Sequence, residues 1–251
     1  MWCRFFDFLV YMKRLLCFLL LIFLLPVNVL AAECVERLDS DGYGCQECVL
    51  GDFAADAMRC VCGTEIALCA SGDLGITLPA GALTRADFEN SFPTDSTIVV
   101  TTISGEDLRA LLEASLSGIT LNEKEEIDKQ LSASPDFFCI SGFTFSYDAS
   151  APVGERVYNW EYDEREFTLA VSSAYQEGTP VDTLARICWD YAECEGTIEA
   201  PEGDRIQVLG AHTNSIVGHF ISREAILLLT LVILAYGAFR VLHKRNTEDD
   251  F

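Results

Sequence analysis

Apolar residues recur every three or four positions from Leu50 to Val61, and Asp52, Asp56 and Arg59 occupy positions between them. In a helix, this spacing places the apolar side chains on one side and the charged side chains on the other. The pattern therefore predicts an amphipathic helix over residues 50–61.

Other segments carry patterns that are typical of strands or helices. Residues 97–103 are β-branched throughout and predict a strand. Shorter apolar runs predict further strands at 66–68, 138–147, 157–162, 167–172 and 206–209. Capping residues or helical spacing predict helices at 85–90, 104–116 and 181–192, and the charged segment 121–135 is predicted to be a surface excursion. Because helices and strands are intermixed without regular strand–helix–strand alternation, we predict an α+β fold.

The N-terminal residues have the organisation of a secretory signal peptide. Three basic residues precede an apolar run at 15–25, and the small residues Ala31 and Ala32 follow it. We predict that residues 1–32 are a signal peptide. An uncleaved anchor over residues 5–25 is the alternative, because three phenylalanines lengthen the apolar zone.

A second apolar segment, residues 225–242, has the length that spans a bilayer core at about 1.5 Å per residue. A basic flank follows it and favours a cytoplasmic tail over 243–251. With a stalk over 211–224, this predicts a type I membrane protein whose body lies in the extracellular space or in the lumen of the secretory pathway. A glycolipid-anchor signal is the alternative, although such signals normally end in apolar residues.

The chain is strongly acidic, with a formal net charge of −22 at pH 7. An acidic protein repels polyanions, so nucleic acid and anionic lipid surfaces are poor partners.

Nine of the eleven cysteines lie between the predicted signal peptide and the predicted span. In an oxidising compartment they are expected to form disulfides for the most part, and the odd number leaves at least one thiol free or paired with another molecule. The disulfide candidates are Cys34, Cys45, Cys48, Cys60, Cys62, Cys69, Cys139, Cys188 and Cys194. A zinc cluster of four of them, at 45–62, is the alternative, but the compartment and the lack of a nearby histidine disfavour it.

Candidate catalytic chemistry is sparse. Two-metal phosphoester hydrolysis needs several His and Asp or Asn ligands, whereas this chain has three histidines, all at or beyond residue 212. The sequence contains no Asp-x-His, Gly-Asn-His or Gly-His-x-His motif and no phosphate-binding Gly-x-x-x-x-Gly-Lys segment. We therefore predict no catalytic residue, no metal and no cofactor.

Four segments, taken in order, carry a resemblance to a known family. They read CQECVLGDFAADAMR at 45–59, ALCASGDLGITLPAG at 67–81, SFPTDSTIVVTTISGEDLRALLEAS at 91–115 and FFCISGFTFSYDASAPVGERV at 137–157. Together they resemble the C-terminal domain of the 5′-nucleotidase family. The resemblance implies one mixed α/β domain over 45–210, after a polar lead at 33–44. In that family an N-terminal metallophosphoesterase domain with two metal ions carries out hydrolysis, and the C-terminal domain holds the nucleoside.

The resemblance implies that a ligand would bind at the loop after the strand at 66–68. In the family this loop typically reads Asn-Ala-Gly-Gly-Ile-Arg, but here Ala70 stands at the asparagine position and Gly75 at the arginine position. A hydrogen atom cannot replace the donors of a guanidinium group. Ser71, Gly72 and Asp73 remain as weak ligand-binding candidates, and Asp73 adds negative charge at a position where the family has glycine.

The family's aromatic contacts are also altered. Thr94 follows Phe92-Pro93 where the family has an aromatic residue, and Gly178 is the one glycine retained from a Gly-Gly-Asp-Gly-aromatic turn. Phe92 and Tyr175 are candidate substitutes for the missing rings, and core packing is the alternative for both.

These observations predict a membrane-anchored domain that is non-catalytic on its own and acts in binding or assembly. Its expected partner is a protein or a second copy of the chain rather than a nucleotide. One alternative is a specificity subunit that supports nucleotide hydrolysis in nucleotide catabolism together with a separate metallophosphoesterase chain. An acidic, membrane-tethered coat element is a third possibility.

Overall fold

The computed structural model describes residues 32–158 and 160–211. The helices are α1 (Val49–Cys62), α2 (Arg85–Ser91), α3 (Gly105–Ser115), α4 (Lys129–Ser132) and α5 (Leu184–Glu195). The strands are β1 (Glu33–Cys34), β2 (Leu38–Asp39), β3 (Ile66–Ala70), β4 (Thr77–Leu78), β5 (Gly81–Ala82), β6 (Thr97–Ser104), β7 (Phe138–Ser141), β8 (Phe145–Asp148), β9 (Val157–Tyr158), β10 (Glu166–Ser172), β11 (Thr179–Thr183), β12 (Thr197–Ile198) and β13 (Ile206–Leu209). This order confirms the predicted mixture of helices and strands.

A five-stranded sheet with the order β11-β6-β10-β3-β7 lies at the centre of the fold. The β10–β3 pair is parallel, and the other pairs are antiparallel. Successive side chains of a strand point to opposite faces, so Ala67 and Cys69 of β3 join one core while Ile66 and Leu68 join another. Helices α1, α2 and α5 supply the first core and α3 supplies the second, so helices cover both faces of the sheet.

Two helix starts follow directly from the local sequence. Thr84 and Asp87 form a capping box at the start of α2, and the Ser104 side chain accepts a hydrogen bond from the Asp107 backbone N–H at the start of α3. These contacts satisfy backbone donors that the first turn of a helix leaves unpaired. Both predicted helices are confirmed to within one residue at each end.

Several predictions for individual segments were wrong. The strand expected over 157–162 ends at Tyr158. The strand expected over 138–147 is two strands, because Gly142 adopts a φ of 92° between β7 and β8. Val181 lies in β11, and α5 begins only after its cap, Thr183. Asp52, which the pattern placed on the polar side of α1, is buried at 2% exposure.

The polar lead at 33–44 is part of the folded structure. β1 pairs with β12 and β5, and β2 pairs with β4. Cys34 and Leu38 of this segment are almost completely buried. Strand β13 likewise belongs to a separate three-stranded sheet, β13-β8-β9, rather than to the central one.

Within residues 32–158 and 160–211, no helix has both the length and the apolar character needed to cross a bilayer. The predicted signal peptide up to residue 31 lies outside the described residues. So do the predicted stalk from residue 212, the predicted span and the predicted tail.

Candidate functional site

The loop that follows β3 lies at the end of the central sheet where β3 terminates, and several of the predicted site residues meet there. Ser71, Gly72 and Asp73 form a 3₁₀ turn directly after the strand. Tyr175 lies at the same end, because its ring packs edge-on against Phe138 with a centroid distance of 4.9 Å, and Phe138 pairs with the last residue of β3. The structure therefore brings these four predicted residues together.

The backbone donors of this loop are paired within the domain. The Ser71 N–H donates to the Phe137 carbonyl at 2.8 Å, and the Gly72 N–H donates to the Pro135 carbonyl at 2.8 Å. Further along, the Gly75 N–H donates to the Ser91 carbonyl at 2.7 Å. A ligand that used any of these N–H groups would have to break a hydrogen bond that the domain already makes.

The glycines of the loop allow other backbone segments to approach closely. A Cβ added to Gly72 would lie 2.9 Å from Pro135 Cβ, and a Cβ added to Gly75 would lie 2.7 Å from the Asn90 carbonyl oxygen and 2.9 Å from that of Ser91. Such separations are shorter than van der Waals contact. The C-terminal end of α2 therefore fills the space that a side chain at position 75 would need.

Asp73 and Ser71 are both directed into the domain. Asp73 is 8% exposed, and its Oδ1 accepts a hydrogen bond from Thr94 Oγ1 at 3.0 Å. Burial raises the pKa of Asp73, although hydrogen bonds from Thr94 and Ser96 act in the opposite direction. Ser71 is fully buried, and its Oγ accepts a hydrogen bond from the Gly44 N–H at 3.1 Å. Neither side chain reaches into solvent as a ligand contact would.

Phe92 lies beside the loop but its ring is buried in the core, and Gly178 lies on another part of the sheet. Phe92 is 1% exposed and stacks on Phe53, with a centroid distance of 6.4 Å and an interplanar angle of 22°. Gly178 precedes β11, which β6 and β10 separate from β3, and a Cβ there would lie 2.6 Å from the Val100 carbonyl oxygen. Phe92 therefore packs in the core, and a ligand-binding role for either residue stays a prediction.

The sequence patterns did not predict the segment that covers the loop. Residues 121–135 were expected to be a surface excursion, but the end of this segment folds back: Pro135 covers Gly72, and the Ser134 N–H donates to the Gly44 carbonyl at 2.9 Å. The next residue, Asp136, accepts a 2.8 Å hydrogen bond from the Tyr175 hydroxyl. Burial and the neighbouring Asp136 carboxylate raise the pKa of Tyr175, so the phenol stays protonated. The two phenylalanines at 137–138, directly after this segment, could have indicated that its end turns towards the core.

The nine disulfide candidates are separate thiols in the structure, and their pairing stays a prediction. Six are buried, while Cys60 and Cys194 are exposed and Cys62 is intermediate. Among the described residues, no group of three or more His, Cys, Asp or Glu side chains is arranged to hold a metal ion.

A cavity of about 570 Å³ lies near the N-terminal end of β3, whereas the loop lies at the C-terminal end of this strand. Its lining includes Asp56, Arg59, Ser141 and Arg205. The Arg205 guanidinium donates to both carboxylate oxygens of Asp56, at 2.9 and 2.8 Å, and Arg59 Nε donates to Ser141 Oγ at 2.8 Å. These four polar side chains of the cavity therefore pair with one another.

The described residues form one mixed α/β domain, in which the loop after β3 is closed by its neighbours. A family model described as the C-terminal domain of 5′-nucleotidase matches residues 28–183, which is more than half of the chain. The chain therefore belongs to the 5′-nucleotidase C-terminal domain family, and the resemblance seen in the sequence is confirmed.

Solved structures share the fold. The 5′-nucleotidase precursor from Thermus thermophilus is 23% identical with a TM-score of 0.60, over 78% of this chain and 42% of that one. Sulfate thiohydrolase SoxB from the same organism is 18% identical with a TM-score of 0.58, over 72% and 35%. The NAD nucleotidase of Haemophilus influenzae is 11% identical with a TM-score of 0.57, over 72% and 38%. At these identities the likeness shows the fold alone.

A relative among curated proteins is similar over a shorter stretch. Endonuclease YhcR of Bacillus subtilis (strain 168) is 31% identical over 99 residues, which is 39% of this chain and 7% of that protein. The chain thus spans a small part of this relative and less than half the length of the solved structures named above.

Proposed function

We propose that this chain is a membrane-anchored 5′-nucleotidase C-terminal-like domain that acts by binding or assembly and does not hydrolyse nucleotides by itself. Its partner is a protein or a second copy of the chain. The observation that carries the proposal is the closed loop after β3, where hydrogen bonds to Pro135, Phe137 and Ser91 already occupy the backbone donors.

The energetics of the loop disfavour a nucleotide. Each backbone N–H that is separated from its acceptor and left unpaired costs about 1–3 kcal/mol. Opening the loop to a ligand would break the backbone hydrogen bonds donated by Ser71, Gly72 and Gly75. The phosphate group of a bound nucleotide would then approach the carboxyl group of Asp73. An anionic ligand would have to offset both penalties.

The anchoring and the nature of the partner rest on the sequence. The apolar segment 225–242 and its basic flank support a single span. The odd number of cysteines between the predicted signal peptide and the predicted span supports a covalent link to a protein partner or to a second copy of the chain.

Phosphate release from AMP tests the catalytic part of the proposal. The full chain, solubilised in detergent and supplied with Zn²⁺, Mn²⁺ or Mg²⁺, is expected to release phosphate no faster than buffer containing the same metal. A 5′-nucleotidase assayed in parallel controls for the metal and the detergent. Turnover at rates typical of enzymes would refute the proposal, and turnover only after addition of a separate metallophosphoesterase chain would favour the specificity-subunit alternative.

Light scattering of the same solubilised chain tests assembly. Dimers, or a defined crosslinked partner recovered from its own membrane, are the expected result. A monomer that crosslinks to no defined partner would contradict the assembly role.

A further inference from the structure

Five buried cysteines lie in one of the two hydrophobic cores: Cys34, Cys48, Cys69, Cys139 and Cys188. Two of these thiols are in contact, because Cys48 Sγ lies 3.8 Å from Cys139 Sγ. Their residues are 4% and 0% exposed, respectively. The contact joins Cys48, at the N-cap position of α1, to β7, which is the outermost strand on one side of the central sheet.

The helix is shaped to bring these two sulfur atoms together. Gly51 lies three residues after Cys48 in α1, and a Cβ added to it would lie 2.3 Å from Cys139 Sγ. The absence of a side chain at Gly51 therefore creates the space through which Cys139 reaches Cys48. A glycine within a helix costs about 1 kcal/mol of helix stability relative to alanine. Alanine is excluded at position 51 because its Cβ would collide with Cys139 Sγ.

The two thiols also differ in acidity. The hydrogen bond from Cys139 lowers the pKa of Cys48, and the same contact together with burial raises the pKa of Cys139. Nearby, burial raises the pKa of Asp52 to about 9, so its carboxyl group is neutral at pH 7 and adds no negative charge beside a Cys48 thiolate. In the folded protein Cys48 is therefore the more acidic of the two thiols.

We propose that Cys48 and Cys139 form a disulfide bond in the mature protein, which links the N-terminus of α1 to β7. The bond needs an S–S distance of about 2.0 Å, so the two sulfur atoms, which lie 3.8 Å apart as thiols, move closer when it forms. The proposal rests on the exposure of the body to an oxidising compartment.

The reaction is a thiol–disulfide exchange with an external disulfide, such as oxidised glutathione or a protein disulfide. The Cys48 thiolate attacks one sulfur of the oxidant, whose S–S bond breaks, and the first oxidant thiolate leaves and takes up a proton. The Cys139 thiol then loses its proton to solvent and attacks Cys48 Sγ, which expels the second oxidant thiolate. The two protein thiols are oxidised, and the external disulfide is reduced to two thiols. Because both residues are buried, the exchange precedes the packing of α1, and the folded core then shields the bond.

Cys69 offers the competing pairing. It lies directly opposite Cys139 in the β3–β7 register, and its sulfur contacts the Ala70 carbonyl oxygen at 3.9 Å. Peptide mapping distinguishes the two pairings, because trypsin separates the three cysteines. Cleavage yields the peptides 38–59 with Cys45 and Cys48, 60–85 with Cys60, Cys62 and Cys69, and 130–156 with Cys139 alone.

The test is mass spectrometry of the full chain recovered from the secretory pathway of an expression host. The protein is denatured in N-ethylmaleimide and digested without reduction by trypsin, and then by a protease that cuts after glutamate. Cleavage after Glu47 separates Cys45 from Cys48, and cleavage after Glu65 separates Cys60 and Cys62 from Cys69. The Cys48 peptide joined to the peptide that contains Cys139 is expected. Recovery of both residues as maleimide adducts, or of Cys139 joined to Cys69, would overturn the proposal. Because this result comes from the unmodified protein, it does not depend on how any variant folds or on the AMP assay.

Variants supply a second measurement. In Cys48→Ser, Cys139 is expected to become reactive to maleimide after denaturation, whereas Cys60→Ser, at an exposed position, should leave the linked peptide intact. Loss of the bond is expected to lower the melting temperature by roughly 5–15 °C. If Cys139 is equally reactive in the unmodified protein and in Cys48→Ser, the pairing is wrong.

Discussion

Replacement of Asp52 by asparagine should make the protein more stable, by an amount that grows with pH. Asp52 is 2% exposed, and one of its carboxyl oxygens has no hydrogen-bond partner. Burial and the nearby Glu47 carboxylate raise its pKa to about 9, although Arg205 acts in the opposite direction. Asparagine has the shape of the neutral acid and cannot ionise.

The magnitude follows from the two protonation states. In the unfolded chain the pKa of Asp52 is about 3.9, so at pH 7 folding has to protonate the group at a cost of about 4 kcal/mol. Since the folded pKa is raised, the stability contributed by this group is complete below about pH 4 and is lost as the pH rises towards about 9. Within that window the loss is about 1.4 kcal/mol per pH unit.

Urea unfolding at pH 6, 7 and 8 measures this effect. The free energy of unfolding of Asp52→Asn, minus that of the unmodified protein, should rise by about 3 kcal/mol from pH 6 to pH 8. Hydrogen bonds that lower the pKa of Glu65 and Asp148 affect stability only in more acidic solution. The exposed Asp163→Asn is the matched control and should show no such rise. A difference that stays constant over the three pH values would refute the reasoning.

Two further substitutions test individual contacts. Gly75→Ala should lower the free energy of unfolding by about 1–3 kcal/mol, because α2 leaves no room for a Cβ, whereas Gly203→Ala has open space and should change it little. Arg205→Lys keeps the charge but loses the two-pronged contact with Asp56, so urea unfolding should show a loss of about 1–2 kcal/mol. Equal stability of the two alanine variants, or no effect of the lysine, would contradict these assignments.

Local patterns predicted α1, α2 and α3 to within one residue at each end, because the relevant interactions lie within a few residues. The capping contacts of Thr84 and Ser104 span three residues each, and they set the starts of α2 and α3. The burial of Asp52 could not be read in the same way. Helix α1 is buried on several sides, including Gly51, Ala54, Ala55 and Ala57, so its apolar stripe does not mark the only inward face. The small residues were the signal, since they permit close approach.

The closure of the loop depends on contacts that no local pattern records. Gly72 meets Pro135, and Ser71 meets Gly44, across long stretches of chain. The sequence did indicate that donors at positions 70 and 75 were missing, because residue identity alone decides which side chains can bind a ligand. It did not indicate that other parts of the domain fill the vacated space, since that is a property of tertiary packing.

Calorimetric titration of the detergent-solubilised full chain with AMP and adenosine tests the central claim, that the loop after β3 does not hold a nucleoside, most directly. A 5′-nucleotidase in the same buffer provides the positive control. We predict no binding heat for this chain at ligand concentrations up to about 1 mM, which corresponds to less than about 4 kcal/mol of binding free energy. A saturable signal with a dissociation constant in the micromolar range would contradict the account.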